Sequence, residues 1–213
     1  MNSVLYLNNI DFMGTSERKE RERAEMRDAI LNAATEMFLK DGFEKTSIRG
    51  IAEKIEYSVG TIYLYFKDKT ELLNVLMEQG FQKMTIVFRN IKQEEDPMAR
   101  LRLLAHTYVN FAFENKEYYD LMFIMRKPME IEDEKKYASS KKAFEFLKQT
   151  VAACIDQKRL RFQDRYSATL SMWGFVHGLV ALNSRTRLGM FKEDKIEKDI
   201  HDAVDNFVDA VTM

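Results

Sequence analysis

TSIRGIAEKIEYSVGTIYLYFKDKTEL, residues 46–72, is the stretch of this 213-residue chain that decides its fold. Two short segments with apolar residues at helical spacing lie on either side of Glu56-Tyr57. A helix-turn-helix needs two such helices, a tight turn, and a second helix that presents small and polar groups to base edges. Ser58 is a suitable N-cap for the second helix. The stretch therefore predicts a helix-turn-helix between Thr46 and Lys69 that binds double-stranded DNA.

The rest of the chain is poor in helix breakers, with 2 prolines and 8 glycines. Strands need frequent turns, so this scarcity favours long helices. Apolar residues recur at spacings of three and four along most of the sequence, which is the helical period. We predict an all-α protein with about nine helices and no strand, over residues 16–41, 47–55, 58–66, 69–91, 97–115, 116–125, 135–158, 164–188 and 193–211.

Three regions follow from these segments. Residues 1–15 are predicted to be a flexible extension, with Met13 as an alternative start. Residues 1–14 show no helical period, so their deletion should leave the melting temperature nearly unchanged. Residues 16–70 would form the helix-turn-helix domain. Asp68 and Glu71 have capping-box spacing at the start of a long helix, which would open a ligand-binding and dimerisation domain at 71–213.

Composition indicates a soluble, cytoplasmic, globular protein. Hydrophobic residues make up 46% and charged residues 31% of the chain. The single cysteine, Cys154, cannot form an intrachain disulfide, which suits a reducing compartment. The longest strongly apolar run is shorter than the roughly 18 residues that a membrane span needs. The net charge of −1 gives no basic footprint, so the case for DNA binding rests on the motif.

Catalytic chemistry is not expected. The three histidines are far apart in sequence and lack metal-ligand spacing with Cys154 or with carboxylates. There is no nucleophile elbow, P-loop or dinucleotide fingerprint. We predict no enzyme activity, no metal site and no cofactor.

The helix-turn-helix stretch closely resembles the N-terminal domain of the TetR/AcrR family of transcriptional regulators. About a third of the chain shares the close match. The residues that carry it are Thr46-Ser47-Ile48-Arg49, Ile51-Ala52, Ser58, Gly60-Thr61-Ile62-Tyr63, Tyr65-Phe66, Lys67-Asp68-Lys69 and Glu71-Leu72-Leu73.

The resemblance implies a role for individual side chains. Arg49 and Thr61 would touch bases or nearby phosphates, and serine and tyrosine hydroxyls would bind phosphates. Lys69 would pair with a phosphate, and Leu64 could contact a thymine methyl. The predicted DNA-binding residues are Thr46, Ser47, Arg49, Ser58, Gly60, Thr61, Tyr63, Leu64, Tyr65 and Lys69.

Two positions depart from the family pattern. Glu56 stands in the turn where the family usually has glycine, so either its backbone is left-handed or the turn has changed shape. Val59 stands where a cationic or polar residue is common, so one contact to DNA would be lost. These departures put the operator sequence in doubt rather than the fold.

The two C-terminal helices predict a homodimer. The helix at 164–188 is apolar on two sides, so one side needs a partner, and Gly174 and Gly178 would let a second helix approach closely. Two such helices from each subunit would form a four-helix bundle, as in TetR-type proteins; the alternative is that both pack within a monomer. Trp173-Gly-Phe-Val-His177-Gly178 resembles a WHG signature in one branch of the family. The predicted interface residues are Met172, Phe175, Gly178, Leu179, Leu182, Ile200 and Phe207.

A ligand pocket is predicted in the helices between Leu76 and His177, which are rich in methionine and aromatic residues. Flexible methionines suit an apolar cavity, although each such residue could equally fill a core, and His177 suits a hydrogen-bonded core position better than a ligand contact. The predicted pocket residues are Met77, Phe81, Met84, Phe88, Phe111, Met122, Phe123, Phe144, Trp173 and His177.

The function these patterns favour is a sequence-specific transcriptional repressor. It would bind a pseudo-palindromic operator as a homodimer and be released by a small lipophilic ligand. Two alternatives stay open: a DNA-binding regulator controlled by a protein partner, which a filled core would favour, and a helical interaction protein without DNA binding. The loss of glycine at position 56 and the missing basic charge support the last.

Overall fold

The computed structural model describes residues 14–125, 138–189 and 195–213, and within these ranges the chain forms nine α-helices. A 3-10 turn at Asn90–Gln93 follows the fourth helix, and a π-helical turn at Asp120–Ile124 follows the sixth. The described ranges contain no strand, only an isolated bridge between Leu160 and Thr212. The all-α prediction is confirmed. The helices are α1 (Thr15–Asp41), α2 (Ile48–Lys54), α3 (Val59–Tyr63), α4 (Lys69–Arg89), α5 (Pro97–Glu114), α6 (Lys116–Tyr119), α7 (Ala138–Asp156), α8 (Arg165–Ser184) and α9 (Ile196–Val211).

Each of the helices α2 to α5 begins where a short polar side chain caps it. Ser47, Ser58, Asp68 and Asp96 each accept a hydrogen bond from the main-chain N–H three residues later, at 3.0, 3.1, 2.8 and 2.8 Å. Each cap satisfies an amide that has no partner inside the helix, and such caps are worth about 1 kcal/mol. The starts of α2 to α5 therefore follow from local sequence.

Several helix ends differ from the predicted ones. The helix expected to reach Ile91 ends at Arg89 and tightens into the 3-10 turn. The helix predicted at 116–125 is a four-residue helix followed by the π-helical turn, in which Met125 N–H donates to Asp120 O at 2.8 Å. α8 ends at Ser184 rather than Leu188, because Thr186 adopts a left-handed backbone with φ 54°. The predicted starts at Lys135 and Glu193, the loop before α7 and residues 1–13 of the extension lie outside the described residues.

A continuous apolar core runs from α1 to α9, and α4 is the helix that joins its two ends. Leu72 and Leu73 near its start and Phe81, Met84 and Phe88 farther along all belong to this core, and α4 contacts α1 as well as α5 and α7. α7 lies at the centre of the C-terminal part and contacts α4, α5 and α8. A second, smaller core at the far end is formed by Met98, Leu101, Val151, Cys154, Leu160, Ala168, Met172 and Val208.

The C-terminal end of α9 is held by main-chain bonds to the segment between α7 and α8. Arg161 N–H donates to Val211 O at 2.9 Å, and Met213 N–H donates to Arg159 O at 3.0 Å. The Arg161 side chain adds a bond to Thr212 O at 3.0 Å. The last residues of the described chain are therefore fixed against its body.

Candidate nucleic-acid interface and apolar cavity

α2 and α3 pack closely on α1 because small residues lie at the contacts. A Cβ added to Gly50 would lie 2.9 Å from Met37 Cε, so only glycine lets α2 approach α1 this closely without a shift. Ala52 and Ile62 are fully buried between the helices. This packing fixes the orientation of α3 relative to α1.

The turn between α2 and α3 keeps its shape although it lacks glycine. Glu56 has φ 61°, so of the two alternatives that the sequence left open the turn takes the left-handed backbone. Tyr57 N–H then donates to Ala52 O at 3.0 Å and ends α2. A left-handed backbone costs a non-glycine residue about 1 kcal/mol or more, and the surrounding packing compensates for it.

Beyond the turn, α3 presents an exposed surface with few charges. Tyr63 is 56% exposed and Leu64 75% exposed, and Tyr57, which the sequence did not single out, is 51% exposed. Gly60 is also exposed and leaves the first turn of α3 open. Large apolar side chains in such a cluster on one short helix indicate a surface that another molecule covers.

Arg49, on α2, is one of the exposed cations of the helix-turn-helix. Its guanidinium Nε lies 2.9 Å from Glu53 Oε1, and its side chain is 82% exposed. Exposed ion pairs of this kind are worth less than about 1 kcal/mol, so Arg49 can exchange Glu53 for an incoming anion. Ser47 and Ser58 are exposed as well, but their side-chain oxygens already serve as helix caps.

Three predicted DNA-binding residues do not point outward. Thr46 is buried, and its hydroxyl donates to Gly42 O at 2.9 Å. Tyr65 is half-buried, with the Arg23 guanidinium 5.9 Å from its ring centre. The structure gives Thr46 and Tyr65 packing roles instead, because their side chains turn toward the inside of the domain.

Lys69 is the third of these residues. Its ammonium group donates to the main-chain carbonyls of Phe43, Glu44 and Thr46 at 2.9, 3.2 and 3.2 Å, and lies 4.4 Å from the centre of the Phe43 ring. An ammonium has three protons, so all are used within the chain. In this conformation Lys69 ties α4 to the α1–α2 loop and has no proton left for a phosphate.

A cavity of about 400 Å³ lies within the C-terminal helices. Its walls come from α4, α5, the π-helical turn, α7, α8 and α9, and they are almost wholly apolar. Six predicted pocket residues line it: Phe81, Met84, Phe88, Phe123, Phe144 and Trp173. Leu101, Leu104 and Ala105 of α5 and Phe207 and Val208 of α9 also line the cavity but were not predicted as pocket residues, since they follow the same helical period as the core.

The other four predicted pocket residues lie elsewhere in the core. Met77 and Phe111 are buried away from the cavity. Met122 packs on α4, where a Cβ added to Gly80 would lie 2.4 Å from its sulfur. Residues at helical spacing around a core cannot be separated by sequence into those that face a cavity and those that do not.

His177 is the fourth predicted pocket residue that does not line the cavity. Its Nδ1 lies 3.0 Å from the Tyr108 hydroxyl and 2.9 Å from the Tyr119 hydroxyl. Burial lowers the pKa of His177 and raises that of Tyr108 to about 12, so all three groups are neutral at neutral pH. The histidine orients Tyr108, which lines the cavity, and is itself a hydrogen-bonded core residue.

The predicted dimer interface divides into two groups. On α8, Leu182 is 46% exposed, and a Cβ added to Gly174 or Gly178 would meet no atom within 4 Å. By contrast, Met172 and Ile200 are buried within the chain's own core, so neither is available to a partner. Phe175 and Leu179 are half-buried beside the exposed face.

Phe207 also turns toward the chain itself. Its ring stacks on Phe175 with the ring centres 4.0 Å apart, and it lines the cavity. The apolar face of α9 is therefore used mainly within the subunit. An open face remains on α8, around its two glycines.

The fold brings together two histidines that are distant in sequence. His106 Nδ1 lies 2.6 Å from His201 Nδ1, and His106 Nε2 lies 3.0 Å from Asp205 Oδ1, which Arg102 also contacts at 3.0 Å. These contacts join α5 to α9. No group of three or more side chains suited to a metal ion occurs among the residues that the structure describes.

No helix in the described ranges is long and apolar enough to cross a membrane.

Two family models match the chain. One, described as bacterial regulatory proteins of the tetR family, matches residues 30–76 and so covers the helix-turn-helix. The other, described as a tetracyclin repressor-like C-terminal domain, matches residues 101–209, which is more than half of the 213 residues.

Individual relatives agree with these models. The HTH-type transcriptional repressor KstR of Rhodococcus jostii is 28% identical over 92 residues, 43% of each chain. The HTH-type transcriptional regulator AcrR of Shigella flexneri is 26% identical over 176 residues, 78% of this chain and 81% of AcrR. The chain thus spans less than half the length of KstR but most of AcrR.

A solved structure shows the same fold over most of the chain. The TetR family transcriptional regulator PfmR of Thermus thermophilus superposes with a TM-score of 0.67 at 21% identity, covering 84% of this chain and 93% of PfmR. The two family matches, together with the all-α fold and its capped helix-turn-helix, establish that this chain belongs to the TetR family of bacterial transcriptional regulators.

Proposed function

We propose that the chain represses transcription as a two-fold dimer on a pseudo-palindromic operator, and that a small lipophilic ligand releases it. The observation that carries this proposal is the path of α4. Its first residue, Lys69, holds the α1–α2 loop of the DNA-binding domain at 16–70. Its later residues Phe81, Met84 and Phe88 line the cavity of the domain at 71–213. A ligand that shifts the cavity wall therefore shifts the helix-turn-helix.

The exposed surface of α3 supports contact with DNA. Tyr63 and Leu64, with Thr61 and Gly60 in the first turn, offer hydroxyl, amide and apolar groups of the kind that read base edges and phosphates. Arg49 supplies a cation beside them. With so few cations, affinity would depend less on salt than in a strongly basic DNA-binding protein.

The dimer would form through the open face of α8. Gly174 and Gly178 leave room for a partner helix, and Leu182 would be covered by it. A two-fold axis presents two recognition helices in opposite orientation, to half-sites about 34–36 Å apart. A ligand that changes their separation weakens binding, provided that it prefers the DNA-free shape.

Two observations disfavour the alternatives. The 400 Å³ cavity is more than a filled core would leave, which argues against control by a protein partner alone. Glu56 keeps the left-handed turn, so the missing glycine does not distort the motif and gives no support to a protein without DNA binding.

The test is fluorescence anisotropy with labelled fragments of the DNA upstream of the chain's own gene. Tyr63→Ala is expected to weaken binding to every fragment about tenfold, since a phosphate-facing hydroxyl and its ring are lost. Ile86→Ala removes an apolar side chain that is 56% exposed on α4, as exposed as Tyr63, and should change nothing. Arg49→Ala should alter the preference among fragments. If no upstream fragment binds the parent protein, the proposed function is wrong.

A further inference from the structure

The polar and the most buried lining residues of the cavity come from different parts of the fold. Ser140 and Lys141 lie at the start of α7, and Lys141 is the exposed member of the described lining residues. Leu101, Met172 and Val208 belong to the smaller core and are each at most 5% exposed. We call the part of the cavity at Ser140 and Lys141 its mouth and the part in the smaller core its inner end.

Little else in the lining is polar. The hydroxyl of Tyr108 is bound to His177, and the remaining described lining residues are aliphatic, aromatic or methionine side chains. A polar group placed deep in such a cavity would lose its hydrogen bonds to water and gain none in return, which strongly disfavours binding. The ligand that fits has one polar head, at the mouth, and an apolar body.

The aromatic walls do not form a flat slot. The rings of Phe144 and Trp173 are inclined by 72°, those of Phe81 and Phe123 by 81°, and those of Phe123 and Trp173 by 59°. A planar polycyclic ligand needs parallel faces to stack on. Among the described aromatic pairs, only Phe175 and Phe207 are nearly parallel, and these two rings are already stacked on each other. A flexible chain fits these walls better than a rigid ring system.

The volume sets the size of that chain. A non-hydrogen atom with its hydrogens takes about the space of one water in the liquid, about 30 Å³, so 400 Å³ holds about 13 such atoms. Within the proposed function, we propose that the ligand is a single acyl chain of about ten to twelve carbons. Its carboxylate or thioester head lies at Ser140 and Lys141, and its methyl end lies against Phe207.

The placement of the methyl end makes Phe207 the residue that sets chain length. Phe207 belongs to α9 and is backed by Phe175 of α8, so a chain that is too long must separate this stack. A chain that is too short leaves apolar wall unfilled, and each missing methylene lowers affinity about fourfold. The affinity should therefore pass through a maximum as the chain is lengthened.

The experiment is a titration of the full chain without DNA, followed by the fluorescence of Trp173, the single tryptophan. The probes are hexanoate, decanoate, dodecanoate and hexadecanoate, with decanol and dodecanoyl-CoA at matched lengths. We expect affinity to rise to decanoate or dodecanoate and to fall at hexadecanoate. If dodecanoyl-CoA binds more tightly than dodecanoate, the head is the thioester. If dodecanoate binds more tightly, the head is the free carboxylate. Affinity without a maximum in chain length, or tighter binding of a fused-ring hydrophobe, would overturn the proposal.

Two sets of variants test the orientation. Lys141→Gln should weaken decanoate more than decanol, because only the acid is charged. Phe207→Leu and Met172→Ala should each move the optimum to longer chains, whereas Phe144→Leu near the mouth should change affinity without moving it. Thermal melts show which variants fold. If Phe207→Leu and Met172→Ala fold and still bind chains of the same length most tightly, the methyl end does not lie at Phe207.

This titration contains no DNA, so its outcome is separate from that of the operator experiment. An acyl chain that binds with the expected length dependence but leaves the operator complex intact would contradict release and keep the ligand assignment. If another kind of molecule released the operator and no acyl chain bound, the result would keep ligand-controlled release and contradict the acyl-chain assignment.

Discussion

Replacing Lys69 with methionine removes the ammonium group and keeps an apolar stem over Phe43. Three main-chain carbonyls then lose a donor. A hydrogen bond contributes about 1 kcal/mol net to stability, and one to a buried charged group contributes more. Because Lys69 is half-exposed, we take about 1 kcal/mol for each of its hydrogen bonds. We expect a loss of about 2–3 kcal/mol, which for a chain of this size lowers Tm by about 5–10 °C.

The assay is urea denaturation followed by circular dichroism, with Lys67→Met as the matched control. Lys67 is an exposed lysine two residues earlier, so its replacement should leave stability within about 0.5 kcal/mol. The same proteins are then compared in DNA binding at several salt concentrations. A Lys69→Met variant as stable as the parent, with a salt slope reduced by about one, would refute the tie between α4 and the loop and restore a phosphate contact.

Three further predictions concern the turn, the histidines and the dimer. Glu56→Gly should raise the free energy of unfolding by about 0.5–1 kcal/mol in urea, because glycine adopts the left-handed backbone without strain; an unchanged value would contradict the strain. Burial lowers the pKa of His177 and of His201 below 6.5, the latter aided by His106. The unfolded chain then binds protons that the native chain does not, so stability should fall as pH drops below about 6.5, and His177→Gln and His201→Gln should each flatten this dependence. Leu182→Glu should give a particle of one chain mass in light scattering, whereas Ile86→Glu on exposed α4 surface should stay dimeric; a parent protein that is itself monomeric would remove the basis for this prediction.

Local signals in the sequence were sufficient for the starts of α2 to α5, whereas the ends of several helices differ from the predicted ones. Ser47, Ser58, Asp68 and Asp96 cap the helices that their positions predict, since a cap acts on an amide only three residues away. Position 56 also pointed to two alternatives, a left-handed backbone or a changed turn, and the structure has the first. Such features need no knowledge of the rest of the chain.

Contacts between distant segments could not be predicted in the same way. The sequence gives no sign that Lys69 reaches Phe43, or that His106 meets His201 across 95 positions. Phe207 shows the same limit: an apolar residue on an amphipathic helix can face a core, a cavity or a partner, and the helical period is identical in all three cases. The packing of α9 against α5 and α8 decides among them.

The main-chain bonds that hold residues 211 to 213 make the C-terminal end of α9 a fulcrum. At 1.5 Å of rise per residue, Phe207 stands about 7 Å from Thr212 along the helix and Ile196 about 24 Å. A rotation about that end would move Ile196 about three times as far as Phe207. If a ligand displaced Phe207, α9 would act as a lever whose short arm bears on the cavity and whose long arm ends at Ile196, which packs against the main core.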